Sequence, residues 1–217
     1  MSQKSALLLG ATGLTGGHLL NLLLESKDYH TVYIYSRRTL GIQNPKLKEL
    51  IIDFDSYEGT VDADIVFCCL GTTIKVAKTK EAFIKVDQTY PVKFAQLQFN
   101  AGSTRFLVIS SMGAAADSLF FYSRVKAEME KLLGNIGYPK LLIFRPALIT
   151  GDRKEHRAGE KFAVVINELL NYVLVGSLRK YQSVSAKTIA NCMLAYAINQ
   201  SVFGKVVISS DRIKDFE

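Results

Sequence analysis

The sequence predicts an α/β fold built on a doubly wound parallel sheet. Three observations carry that prediction. Short apolar runs alternate with stretches of helical periodicity along the whole chain. The runs are apolar at consecutive positions, as strands covered on both faces must be. The first of them, Ala6-Leu7-Leu8-Leu9, passes straight into Gly10-Ala11-Thr12-Gly13-Leu14-Thr15-Gly16 and then into the helical pattern His18-Leu19-Leu20-Asn21-Leu22-Leu23-Leu24.

Taken in order, strands are expected at residues 7–9, 32–35, 50–52, 65–70, 106–109 and 141–144, with a last one at 206–209. Helices are expected at 17–26, 86–100 and 120–133, with Gly102 and Gly134 as stops. After Arg145-Pro146 the pattern loosens into a polar loop at 152–159, an apolar helix near 162–175 and another helix at 186–199. No repeat, low-complexity segment or linker interrupts it. The expected architecture is one Rossmann-type domain over residues 1–217, in which about 150–217 form a small C-terminal lobe on the substrate side of the cleft.

With 217 residues, 48% of them hydrophobic, the chain can bury one good core. Its net charge of +7 comes from 27 basic and 20 acidic residues, scattered rather than clustered. The densest basic group, Lys75, Lys78, Lys80 and Lys85, reads as a solvated loop and helix face, and no nucleic-acid-binding motif accompanies it. Cys68 and Cys69 are adjacent in an apolar strand and Cys192 stands alone, which suits buried thiols better than a disulfide or a metal site. With no hydrophobic leader after Met1-Ser2-Gln3-Lys4, a reduced, cytoplasmic location is expected. No apolar run approaches the ~20 residues of a membrane span.

The glycine turn carries the first functional reading. Glycines let the backbone bend tightly and approach a phosphate closely, and the helix that follows offers free N–H donors and a positive dipole end. In this strand–turn–helix context the turn Gly10-Ala11-Thr12-Gly13-Leu14-Thr15-Gly16 is expected to hold the pyrophosphate of a dinucleotide. About twenty residues further on, an acidic residue would bind the ribose 2′-hydroxyl of NAD. This chain has Tyr35-Ser36-Arg37-Arg38 there. Guanidinium groups pair with a 2′-phosphate, so the expected cofactor is NADPH, held by Arg37 and Arg38. Asp53, at the end of the third strand, has two readings: acceptor for the adenine amino group, or cap of the turn at Asp55-Ser56. Gly71 follows the fourth strand, where the backbone would pass close to the cofactor ribose.

The chemistry is read further along. The fifth strand ends in Ser110-Ser111-Met112-Gly113, and Tyr122-Ser123-Arg124-Val125-Lys126 follows. On a helix, Tyr122 and Lys126 share one face. An ammonium near a tyrosine favours the phenolate and makes the hydroxyl a useful acid or base. Ser111 would hold the substrate oxygen, and Lys126 would also reach the nicotinamide ribose.

The glycine turn, the strand-end serine and the Tyr122/Lys126 helix together resemble the short-chain dehydrogenase/reductase superfamily. Within it, the chain resembles the HIV-1 Tat-interactive protein 2 family of atypical reductases. The likeness runs over about residues 4–160, through Cys68-Cys69-Leu70-Gly71-Thr72-Thr73, Val86-Asp87-Gln88-Thr89-Tyr90, Ser110-Ser111-Met112-Gly113-Ala114, Tyr122-Ser123-Arg124-Val125-Lys126-Ala127-Glu128 and Phe144-Arg145-Pro146, and ends in 152–160. It implies that Thr12, Gly13, Leu14 and Thr15 touch the pyrophosphate, that Arg37 and Arg38 bind the 2′-phosphate, and that Leu70 and Gly71 line the adenosine side. Tyr122 and Lys126 would be the catalytic pair, and Ile149 and Arg157 would close over the cofactor. Ser111 matches the catalytic hydroxyl better than Ser110, which stays open as the alternative. The resemblance also implies a homodimer through the 120–133 helix.

The function expected is therefore NADPH-dependent reduction of a small-molecule carbonyl. Two rivals stand beside it: an NADPH-binding regulator with little turnover that engages a protein partner, and an enzyme resembling nucleotide-sugar epimerases. The segment after Gly159, which would shape the substrate pocket, departs most from the family.

Overall fold

A computed structural model of the chain describes residues 3–151 and 181–217. The predicted loop at 152–159, the predicted helix at 162–175 and Arg157 lie outside the described residues. Strand β1 (Lys4–Leu9) is followed by α1 (Leu14–Glu25), β2 (Tyr29–Ser36), β3 (Leu47–Ile51) and β4 (Ile65–Cys68). Two short helices, α2 (Ile74–Ala77) and α3 (Lys80–Ile84), lead through a π-helical turn (Lys85–Thr89) into α4 (Tyr90–Asn100). Then come β5 (Arg105–Ile109), α5 (Phe121–Ile136), β6 (Lys140–Arg145) and β7 (Ile149–Thr150). The C-terminal part adds β8 (Val184–Ser185), α6 (Ala186–Ile198), β9 (Gly204–Ser209) and a short α7 (Ser210–Ile213).

Seven strands form one sheet in the order β3-β2-β1-β4-β5-β6-β9, and every pairing is parallel. This is the Rossmann-type α/β fold that the sequence predicts. The direction of winding reverses between β1 and β4, so a crevice opens there at the carboxyl ends of the strands. The unbroken apolar run of β1 follows from its two covered faces. Ala6 and Leu8 pack in one core with Leu19, Leu20 and Leu23 of α1 and Ile189 and Ala190 of α6. Leu7 and Leu9 point the other way, into a second core with Phe94 of α4 and Met129 and Leu133 of α5.

Two local expectations are corrected. Gly134 does not end its helix: α5 runs on to Ile136 and stops at Gly137, which adopts a left-handed φ of 93°. Nor is 86–100 one regular helix. Pro91 has no N–H to give the carbonyl four residues back, that of Asp87, and its ring crowds that carbonyl. The chain answers with the π turn, in which the Tyr90 N–H bonds to the Lys85 carbonyl.

At the opposite end of the sheet from the crevice, Arg105 and Lys140 sit side by side on β5 and β6. Both donate to carbonyls at the end of α6, Arg105 to Ala197 and Lys140 to Asn199. Burial, with Arg105 and Lys4 adding like charge, pulls the Lys140 ammonium down to about 8. The unfolded chain therefore holds that proton to higher pH than the folded one. Stability from this group rises as pH climbs from about 8 towards the ordinary lysine value. Thermal melts across that interval are expected to show the wild type gaining on Lys140→Met; parallel curves would contradict the assignment.

Candidate functional site

The glycine turn sits at the carboxyl end of β1, in the crevice. Gly10 has a φ of 86°, and a Cβ there would lie 2.7 Å from the Cys69 backbone carbonyl. A Cβ on Gly16 would collide with the Gly10 carbonyl oxygen. Gly16 thus lets α1 press against the turn, and Gly10 lets the backbone just after β4 approach it. Gly13 is the N-cap of α1 and offers no side-chain acceptor, and the first turn of the helix carries no acidic residue. Its free N–H groups and dipole end suit a phosphate, so the turn fits a dinucleotide. Thr12 and Gly13 are exposed, Leu14 is half-buried and Thr15 is buried. The Leu14 side chain would lie 3.1 Å from a Cβ on Gly151, which brings the segment after Ile149 against the turn.

Arg37 and Arg38 follow β2 directly, and both are exposed. Neither forms an ion pair among the described residues. Asp53 lies two residues past β3, and its Oδ1 accepts the Asp55 N–H at 3.0 Å, the turn-capping half of its two readings. It remains exposed. Leu70 and Gly71 follow β4 at the rim of the crevice, half-buried and exposed respectively.

Beyond β4, the fold brings together side chains from α3, the π turn and α5 with backbone groups of Thr72 and Ile109. Lys126, on the inner face of α5, is only 2% exposed. Its Nζ pairs with Asp87 Oδ1 at 2.8 Å and donates to the Ile109 carbonyl at 3.4 Å. The other Asp87 oxygen accepts the Thr72 N–H at 2.8 Å. Burial would lower the Lys126 pKa, but Asp87 and Tyr122 outweigh it, and the ammonium is held above the usual lysine range. Tyr122 is 38% exposed one turn earlier, its ring 5.7 Å from that of Phe83.

The two serines separate. Ser110 is buried, and its Oγ donates to Glu130 Oε1 at 2.5 Å. Arg145 grips the same carboxylate through Nε at 2.9 Å and through its terminal nitrogen at 2.6 Å. Ser111 is half-buried, its Oγ accepts the Gly113 N–H at 3.4 Å, and among the described residues its hydroxyl donates to no acceptor. Burial pushes the Cys68 thiol up to about 12 and the Cys69 thiol well above its usual value, which disfavours the thiolate of both.

Asp87 is a member of this candidate site to which the sequence pattern gives no role. Its signal was indirect: a proline inside a helical pattern, which marks an irregular turn but not which side chain that turn aims inward.

Comparison with known proteins agrees with the fold. Residues 5–89 match the family model described as Semialdehyde dehydrogenase, NAD binding domain, which covers the stretch from β1 to the π turn. The solved complex of MoeE5 with UDP-glucose and NAD superposes with a TM-score of 0.69 at 17% identity, over 96% of this chain and 79% of that one. That likeness shows the fold alone, a Rossmann-type α/β domain. Protein FMP52, mitochondrial, of Candida albicans is 29% identical over 214 residues, 94% of this chain and 93% of its own. Several similar proteins carry the same mitochondrial name, and they overturn the expectation of a cytoplasmic location. A cysteine pattern that lacks a disulfide framework does not distinguish one compartment from another, so it could not decide the location. No helix among the described residues is long and apolar enough to cross a membrane. Protein HTATIP2 of Rattus norvegicus is 35% identical over 170 residues, 75% of this chain and 70% of its own. Over that length and with this fold, the chain belongs to the HTATIP2 family of atypical short-chain dehydrogenase/reductases.

Proposed function

We propose that this protein is an NADPH-dependent reductase of small carbonyl compounds. The observation that carries the reading is convergence: Ser111, Tyr122 and the buried Lys126 lie beyond β4 and β5, on the same carboxyl-end side of the sheet as the uncapped start of α1. When bound, NADPH supplies the hydride. Gly10, Thr12, Gly13, Leu14, Thr15 and Gly16 would hold its pyrophosphate, and Arg37 and Arg38 its 2′-phosphate. Leu70 and Gly71 would line the adenosine side, with Asp53 at the adenine edge, and Ile149 would flank it from the C-terminal part.

Ser111 would donate a hydrogen bond to the carbonyl oxygen and orient it. Tyr122 would give its hydroxyl proton to that oxygen as the carbonyl becomes an alcohol, and solvent would restore the proton. Lys126 would stabilise the phenolate left behind and reach the nicotinamide ribose, while Asp87 fixes its ammonium in place. The substrate is a small molecule, and the names of the relatives point to the mitochondrion as its setting.

The test is a titration of the purified protein with NADPH and with NADH, followed by thermal shift. NADPH is expected to bind at least about tenfold more tightly, or about 1.4 kcal/mol. Arg37→Ala/Arg38→Ala is expected to remove that preference and leave NADH binding in place. Equal affinity for the two cofactors in the wild type would overturn the NADPH assignment. If neither binds, the reductase reading fails with it.

A further inference from the structure

The loop that carries Arg37 and Arg38 is not free-standing. Glu49, on β3, lies in register with Ile34 of β2, so its side chain emerges beside the end of β2. Its carboxylate accepts the Leu40 N–H on Oε1 at 2.8 Å and the Thr39 hydroxyl on Oε2 at 2.7 Å. A longer contact of 3.4 Å joins Oε1 to the Ser36 hydroxyl, whose main bond goes to the Arg38 carbonyl at 2.8 Å. The Thr39 hydroxyl in turn accepts the Gly41 N–H at 3.1 Å, where φ is 68°. The tie therefore spans the loop from Ser36 to Gly41, and both arginines lie inside it.

The loop that Glu49 ties carries two guanidinium groups, yet the carboxylate is bound to neutral donors. Glu49 takes neutral donors and forms an ion pair with neither arginine among the described residues. Its acceptor capacity is spent on backbone and hydroxyl groups. Both cations are thus left unneutralised, on a backbone whose course is set beforehand. Ordering two long side chains over a phosphate costs conformational entropy, and a loop already held in place lowers that cost.

We propose that Glu49 is a positioning residue for cofactor choice: it clamps the loop after β2 so that Arg37 and Arg38 meet the 2′-phosphate together. The proposal rests on the NADPH reading above. Glu49 touches neither the cofactor nor the reacting atoms. Its effect should appear only with ligands that carry a 2′-phosphate.

The probes are adenosine 2′,5′-bisphosphate and 5′-AMP, with NADPH and NADH beside them, on wild type, Glu49→Ala, Glu49→Gln and Arg37→Ala/Arg38→Ala. Glu49→Ala is expected to weaken NADPH and the bisphosphate about tenfold. The same variant should leave NADH and 5′-AMP within about twofold, since nothing in the clamp reaches the rest of the nucleotide. Glu49→Gln keeps one carbonyl acceptor for the Leu40 N–H and should recover much of the loss. Three results would overturn the proposal: full NADPH preference in Glu49→Ala, equal loss of both classes of ligand, or a gain in NADPH affinity from relieved charge repulsion. The NADPH reading fails separately, and visibly, when the wild type itself shows no preference or the double arginine variant keeps it.

Discussion

Replacing Tyr122 with phenylalanine should lower the turnover of any carbonyl compound the wild type reduces by about 10²–10⁴-fold. The Kd for NADPH should not change. The substitution removes one oxygen and nothing else. The ring keeps its contact with Phe83 at 5.7 Å, and the position is 38% exposed, so little stability is at stake. Lys126 keeps its pairing with Asp87, because that bond does not pass through the tyrosine. The measurement is steady-state reduction across a panel of carbonyl compounds, paired with a cofactor titration. Full turnover in Tyr122→Phe would take this residue out of the chemistry. It would also shift weight to a protein that binds NADPH and reports on it to a partner.

The second large effect is on stability. Asp87→Ala is expected to cost about 3–5 kcal/mol of unfolding free energy, read by urea denaturation. Both partners are nearly inaccessible, Lys126 at 2% and Asp87 at 1%. Removing the carboxylate strands a buried ammonium and also takes the acceptor from the Thr72 N–H. Lys126→Met in the Asp87→Ala background should recover part of the loss, since the uncompensated charge is then gone. Strict additivity of the two substitutions would mean the pair is not coupled. The pH dependence has a definite sign. The folded pKa of Lys126 is raised, so its contribution is fully present below the unfolded lysine value and is lost as pH rises through the folded one. Through the neutral range the contribution is flat, and the loss from this group falls in the alkaline limb alone.

The parts of the site legible in the sequence are those set by neighbours along the chain. The glycine turn is one: strand, turn and helix follow within a few residues, and glycine is required where φ is 86° and where the helix start meets the turn. Tyr122 and Lys126 are another, because four residues on a helix always share a face. Arg37 and Arg38 were visible because β2 ends where the spacing from the turn places it. Helix ends were less legible. Gly134 and Gly137 have the same intrinsic preference, and α5 packing through Leu133 carried the helix past the first to the second.

Hydrophobic period and backbone permission are thus enough to set the class of fold and the local motifs at the carboxyl ends of the strands. The pairing of distant polar groups is settled by packing in three dimensions. Asp87 reaches Lys126 because Pro91 forces a π turn and α5 lies against it. Glu49 reaches the arginine loop because β3 pairs with β2 in one register. Ser110 is withdrawn from Ser111 because Glu130 and Arg145 converge on it from α5 and β6. A carboxylate's partner is chosen by burial and by what the fold brings within about 3 Å. No period in the sequence encodes that choice.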